Sequence, residues 1–171
     1  MVESLYPSKD AHGIWVYLEH ADGHLEGVSL ELLGRARALA DATGEQLTAL
    51  LLSADGSALA EQALGYGADA VLLAHHPALS VYTTLPAARV VADLVAQRRP
   101  SILLLGATVN GRDLAGRLAV RLRTGLTADR TDLNIDKADG LLLGEVTGFG
   151  QGILATIQCP HDSSPTLAPY A

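Results

Sequence analysis

Four short apolar runs, each followed by a helical stretch, constrain this chain more than any other feature. They are Ile14-Trp15-Val16-Tyr17-Leu18, Leu47–Leu52, Ala70–Ala74 and Ile102-Leu103-Leu104-Leu105. A strand with one face in water alternates apolar and polar residues; a strand covered on both faces has no need to. Between the runs the spacing turns helical. Leu32, Ala36, Leu39 and Ala40 recur within Leu30–Thr43, and Ala58–Tyr66 is Ala-rich. Ala87, Val91, Leu94 and Val95 make one face between Pro86 and Pro100, and Leu114, Leu118 and Leu122 make a stripe in Leu114–Arg123. Strands alternating with helices predict an α/β fold, a doubly wound and mainly parallel sheet, up to about residue 129. Ser29 is the expected N-cap of the first helix, Gly44 its C-terminal stop, and Pro86 a helix-start residue.

The rhythm then changes. Residues 131–136, 141–147 and 153–158 are strand-like with no helix between them, and Asp139-Gly140 is a hairpin turn signal. This region is expected to be a C-terminal antiparallel β extension of the same sheet. From Pro160 onward prolines and serines interrupt any period, so the chain divides into one domain, 1–160, and a linker or loose tail, 161–171.

Composition bounds the function. A net charge of −7 over 171 residues disfavours general binding to nucleic acid or to an anionic membrane surface. No apolar run approaches the ~20 residues of a membrane helix. The opening MVESLYPSKD lacks the apolar core of a signal peptide, and the lone cysteine, Cys159, fits a reducing compartment. Cytoplasm is the expectation.

The stretch Gly106–Asp129 raises the sharpest question, because a glycine-rich turn after a strand can cradle a phosphate. The dinucleotide fingerprint G-x-G-x-x-G is absent after the first strand. The Walker pattern is nearly spelled by Gly106 to Gly111, but Arg112-Asp113 stands where Lys-Ser/Thr belongs, which disfavours nucleotide hydrolysis. Asn110 and Asp113 are expected to form something close to a capping box, with Asp113 pairing with Arg117 four residues on. Two readings stay open: a capped amphipathic helix with solvated arginines, or an anion site at its start.

Other candidates are weaker. His75-His76 lacks a third ligand nearby and reads as a strand-end loop rather than a metal site. Cys159 and His161 flank Pro160, yet nothing orients them as nucleophile and base. Asp129, Asp132, Asp136 and Asp139 follow turns. No catalytic residue is assigned.

The stretch nevertheless resembles a known family. Gly106-Ala107-Thr108, Gly111-Arg112-Asp113-Leu114-Ala115, Arg117, Ala119 and Thr124-Gly125-Leu126-Thr127-Ala128-Asp129 are similar to the N-terminal domain of electron transfer flavoprotein alpha subunits. Val16–His20, Leu30–Gly34, Tyr66–Asp69 and Ala155–Pro160 are similar too. The resemblance implies a Rossmann-like, adenine nucleotide alpha hydrolase-like fold. It also implies a beta-subunit partner, and a heterodimer carrying electrons from flavin dehydrogenases to a downstream acceptor. It places FAD mainly on a C-terminal domain absent here, with none held by this chain alone, and makes the present chain a scaffold and subunit interface. The chain is then either a fragment or a divergent short relative. It departs from the family where Glu145–Gly152 keeps Phe149 and Gly150 but lacks the usual Arg, Pro and Asn, and where Ser163–Leu167 replaces a further R-P-Q. An alternative is a stand-alone adenine-nucleotide module similar to universal stress proteins. Gly106, Asn110, Gly111, Arg112, Thr124 and Gly125 would then bind the nucleotide.

Overall fold

The computed structural model describes residues 11–127, 132–136, 142–147, 154–158 and 166–170. A five-stranded parallel sheet forms its centre, in the order β10-β6-β1-β4-β5. The strands are β1 (Ile14–Leu18), β4 (Leu47–Ser53), β5 (Ala70–His75), β6 (Ile102–Gly106) and β10 (Thr166–Tyr170). β1 is central, with Ile14 beside both Leu47 of β4 and Ile102 of β6. Every residue of β1, β4 and β6 is buried, which is why these runs show no alternation.

Strand parity sorts the core into two layers. Ile14, Val16 and Leu18 face one side with Leu32, Leu33 and Ala36 of helix α1 (Gly27–Thr43) and Leu59 of helix α2 (Ser57–Gly65). Trp15 and Tyr17 face the other side. There they meet Val91 and Val95 of helix α3 (Thr84–Arg98) and Leu114 and Leu118 of helix α4 (Val109–Leu122). Helices on both faces make the sheet doubly wound, as the sequence implies. Gly44 ends α1 at φ 72°, the left-handed C-cap that its lack of a β-carbon permits.

Three expectations are corrected. First, β7 (Asp132–Ile135), β8 (Leu142–Thr147) and β9 (Leu154–Gln158) form a separate three-stranded antiparallel sheet rather than an extension of the central one. Leu133 and Leu142 pack it onto the α1 core layer. The turn expected at Asp139-Gly140 lies outside the described residues.

Second, the expected loose tail holds a strand. β10 runs parallel to β6, with Leu167 beside Leu103 and Tyr170 beside Gly106, and all five of its residues are buried. Pro169 fits because, among the described residues, β10 is bordered on its outer side by a short segment, the Leu126 bridge to Leu167. Leu167 N–H donates outward to the Gly125 carbonyl and Thr166 N–H inward to Ser101. By alternation, position 169 points its missing N–H outward, where no sheet ladder needs it. The other tail residues lie outside the described residues.

Third, Ser29 is not the cap. Glu26 holds that place without a side-chain hydrogen bond, and Ser29 is buried in the first turn. Its Oγ donates to the Glu19 carbonyl at 2.9 Å and accepts the Glu19 N–H at 2.7 Å. The hydroxyl therefore clasps the end of β1 to the start of α1. Between them β2 (His20–Ala21) and β3 (His24–Leu25) form a small hairpin. It turns at Asp22 (φ 50°) and Gly23 (φ 79°), the positive-φ pair of a type I′ turn.

Candidate functional site

The carboxyl ends of the strands border a cleft of about 540 Å³. It opens where β1 leads to α1 on one face while neighbouring β6 leads to α4 on the other. That reversal is where open α/β sheets bind ligands. Tyr17, Glu19, Leu52, Ser53, Tyr82 and Thr108 are among its lining residues.

Glu19 dominates its chemistry. Leaving β1, it points its carboxylate at the start of α4. Thr108 Oγ1 lies 2.8 and 2.9 Å from the two carboxylate oxygens and donates to them. The same Oγ1 accepts the Gly111 N–H at 2.9 Å, so Thr108 is the N-cap of α4. The expectation that Asn110 caps this helix is thereby corrected: Thr108 has the extended backbone and the accepting oxygen, and Asn110 is already inside the first turn. Asp113 is not a capping-box partner either. It accepts from Thr84 Oγ1 at 2.6 Å and pairs with Arg117 at 3.3 Å; the Arg117 pair is as expected.

The carboxyl of Glu19 is held above its ordinary range. Partial burial is the main cause, opposed by the Thr108 hydrogen bond and reinforced by the nearby Glu26 carboxylate. Tyr17, beneath it, is only 5 % exposed. Burial pushes its phenol strongly upward, with Tyr82 and Glu19 adding to the effect.

This geometry bears on the question posed by Gly106–Asp129. A helix start carries roughly half a positive charge and free N–H groups, and it attracts an anion. Here the protein supplies one. A β-carbon at Gly106 would lie 2.8 Å from Glu19 Oε1, and one at Gly111 3.2 Å from it. The Glu19 carboxylate thus stands over the glycine pair that a phosphate would approach. Glu19, Asp22, Glu26 and Asp55 all line the cleft, and no lysine or arginine does so among the described residues. Such a field is unfavourable to an anion such as a phosphate group.

The candidate cofactor residues are not brought to one place. Gly106, Asn110, Gly111 and Arg112 gather at the start of α4. Thr124 and Gly125 follow its far end, where the Thr124 N–H closes the last turn on Ala119. The helix between has 14 residues, about 21 Å of rise. Of the weaker candidates, His75 ends β5, and His76 Nδ1 accepts the Ala78 N–H at 3.1 Å within a short 3-10 turn at Pro77–Leu79. Asp132 pairs with Arg35 at 2.6 Å. Cys159, His161, Asp129 and Asp139 lie outside the described residues. Sequence reasoning missed Glu19, although its place directly after the first apolar run was a usable signal.

Comparison with known proteins gives the arrangement its family. Residues 14–167 match the family described as Electron transfer flavoprotein domain. The chain is 45% identical over 159 residues to the electron transfer flavoprotein subunit alpha of Clostridium acetobutylicum, covering 93% of this chain and 47% of that protein. It is 46% identical to Protein FixB of Clostridium saccharobutylicum, covering 89% and 45%. It is also 46% identical to the acryloyl-CoA reductase electron transfer subunit beta of Anaerotignum propionicum, covering 86% and 46%. The chain therefore spans about half the length of these relatives. The chain belongs to the electron transfer flavoprotein family and is similar over this length to alpha-subunit and FixB proteins.

Proposed function

We propose that this chain is the N-terminal scaffold and subunit-interface part of an electron transfer flavoprotein alpha subunit. In this reading it pairs with a beta subunit in the cytoplasm. The assembled heterodimer carries electrons from flavin dehydrogenases to an acceptor. The redox FAD is held mainly by the remaining, C-terminal part of such a subunit. The observation that carries the reading is the match across residues 14–167.

The site agrees with it. Electron transfer asks a scaffold to hold cofactors at a fixed separation, not to supply an acid or base. With Glu19 over the start of α4, the domain's own glycine loop closes a helix instead of receiving a nucleotide. The surface offers a place for a neighbour. β5 is an edge of the central sheet, and Leu73 on it is exposed together with Leu64 and Tyr66 near the end of α2. Unpaired edges with apolar side chains are natural contact sites. The adenine-nucleotide alternative has less support, since its residues sit at both ends of α4.

The reading is tested by mixing the chain with a beta subunit and the flavin-bearing C-terminal part, followed by size-exclusion chromatography. A single peak containing all three and absorbing as flavin is expected. Separate elution at micromolar concentration would overturn it.

A further inference from the structure

The cleft whose acidic lining disfavours a phosphate has a composition suited to the opposite charge. Four carboxylates line it: Glu19, Asp22, Glu26 and Asp55. The starts of α1 and α4 together offset only about one positive charge, so the field stays negative. The volume of about 540 Å³ falls in the range of sites for whole small molecules, roughly 300–1,000 Å³. Its walls include Leu52, Leu79 and Val28 and the ring of Tyr82, surfaces for a short aliphatic stem.

A second observation points into the same space. Tyr17 lines the cleft and is 95 % buried by the 5 % exposure of its side chain and backbone together. Among the described residues its phenol has no hydrogen-bond partner, and its neighbours there are Tyr82 and Glu19, which act on it through charge alone. The phenol oxygen is not sealed in the core, so its hydrogen-bonding capacity opens to the cleft. The phenol oxygen can accept from an N–H, and a tyrosine face favours a cation. Among the described residues Glu19 uses its oxygens on one side-chain donor, Thr108, and carboxylates accept more than one hydrogen bond.

We propose that this cleft binds a small organic cation, a guanidinium or ammonium on a short aliphatic stem. The charged head sits between Glu19 and the Tyr17 phenol, and the stem lies against Leu52 and Leu79. Asp22, Glu26 and Asp55 draw it in from the rim. Its lining residues all belong to this chain, and nothing in it calls for bond-making.

Calorimetric titration of the 171-residue chain with agmatine tests this, with AMP and a blocked Gly-Arg-Gly peptide as separate arms. Saturable one-to-one binding of agmatine is expected, with none of AMP. Tyr17→Phe keeps the packing and should weaken binding about tenfold, as for a lost hydrogen bond to a charged group. The rim variant Glu26→Gln with Asp55→Asn leaves the core untouched. It should weaken binding several-fold, and less so at high salt as screening takes over. Absence of agmatine binding up to millimolar concentration overturns the proposal. So does binding of the peptide alone, which would make the cleft a docking point for a partner's arginine. Unchanged affinity in both variants overturns it as well.

Discussion

Gly111 packs so closely on Gly106 that a β-carbon at position 111 would overlap the Gly106 carbonyl oxygen. In the motif resembling a phosphate loop, these two glycines let a helix seat against the end of a strand. Gly111→Ala should cost about 3 kcal/mol, the upper range for overpacking, because backbone rather than a side chain obstructs it. Gly116→Ala, in the same helix with nothing within 4 Å of the new carbon, should gain roughly 0.5–1 kcal/mol. Urea unfolding of both variants checks the pair; equal effects would mean the contact at 111 yields easily.

Glu19 should make stability depend on pH in a particular direction. Burial, with Glu26 adding and Thr108 opposing, raises its carboxyl above the ordinary value of 4.5 in the folded state. The native state therefore binds the proton more tightly than the unfolded chain. Its cost to stability is absent below the unfolded value. That cost grows as pH climbs through the interval up to the folded value, and is complete above it. Glu19→Gln can still accept from Thr108. The melting temperature of this variant minus that of the parent should rise from acid towards neutral pH. A constant or falling difference would contradict the assigned cause.

Asp69 has the opposite sign. It accepts the Leu47 N–H at 2.8 Å and pairs with Arg37 at 3.0 Å. The backbone hydrogen bond first and the guanidinium second hold its carboxyl below the usual range. The resulting stability is present above the unfolded value, 3.8, and is lost as pH falls through the lowered folded one. Because the Asp69 side chain is 43% exposed, it should amount to no more than about 1 kcal/mol. Asp69→Asn should lower the urea midpoint at neutral pH and converge with the parent in acid.

Removing the last strand should be severe. Leu167 and Ala168 are fully buried and Tyr170 nearly so, and Arg35 Nε donates to the Tyr170 hydroxyl at 3.1 Å. A chain ending at Pro160 loses these side chains and bares the edge of β6. A loss of about 4 kcal/mol or more is expected from apolar burial alone, with aggregation through the exposed edge. Circular dichroism melting of the truncated chain checks it; a melt unchanged from the parent would show that β10 adds little.

The fold was legible where local pattern and burial agree. The apolar runs at Ile14 and Ile102 became central strands because helices cover both faces, and Gly44 ended its helix as its lack of a β-carbon allows. Thr166–Tyr170 was not legible as a strand. Its proline argued against one, and only the outward direction of its missing N–H makes it acceptable. Ser29 and Asn110 have good capping chemistry, but capping belongs to the residue with extended backbone before the first turn. Tertiary packing placed Glu26 and Thr108 there. The hairpin at Asp22-Gly23 carried a turn signal with too little flanking strand to register. Glu19's place after the first apolar run was a hint, but its role depends on Thr108, 89 positions away, which no local pattern carries.

The domain seats its own carboxylate where a phosphate would approach the start of α4, which on the proposed reading leaves it a scaffold. Calorimetric titration of the isolated chain with AMP, and separately with FAD, tests that most directly. Neither should produce saturable heat at micromolar protein. Stoichiometric binding of either one with micromolar affinity would contradict the account.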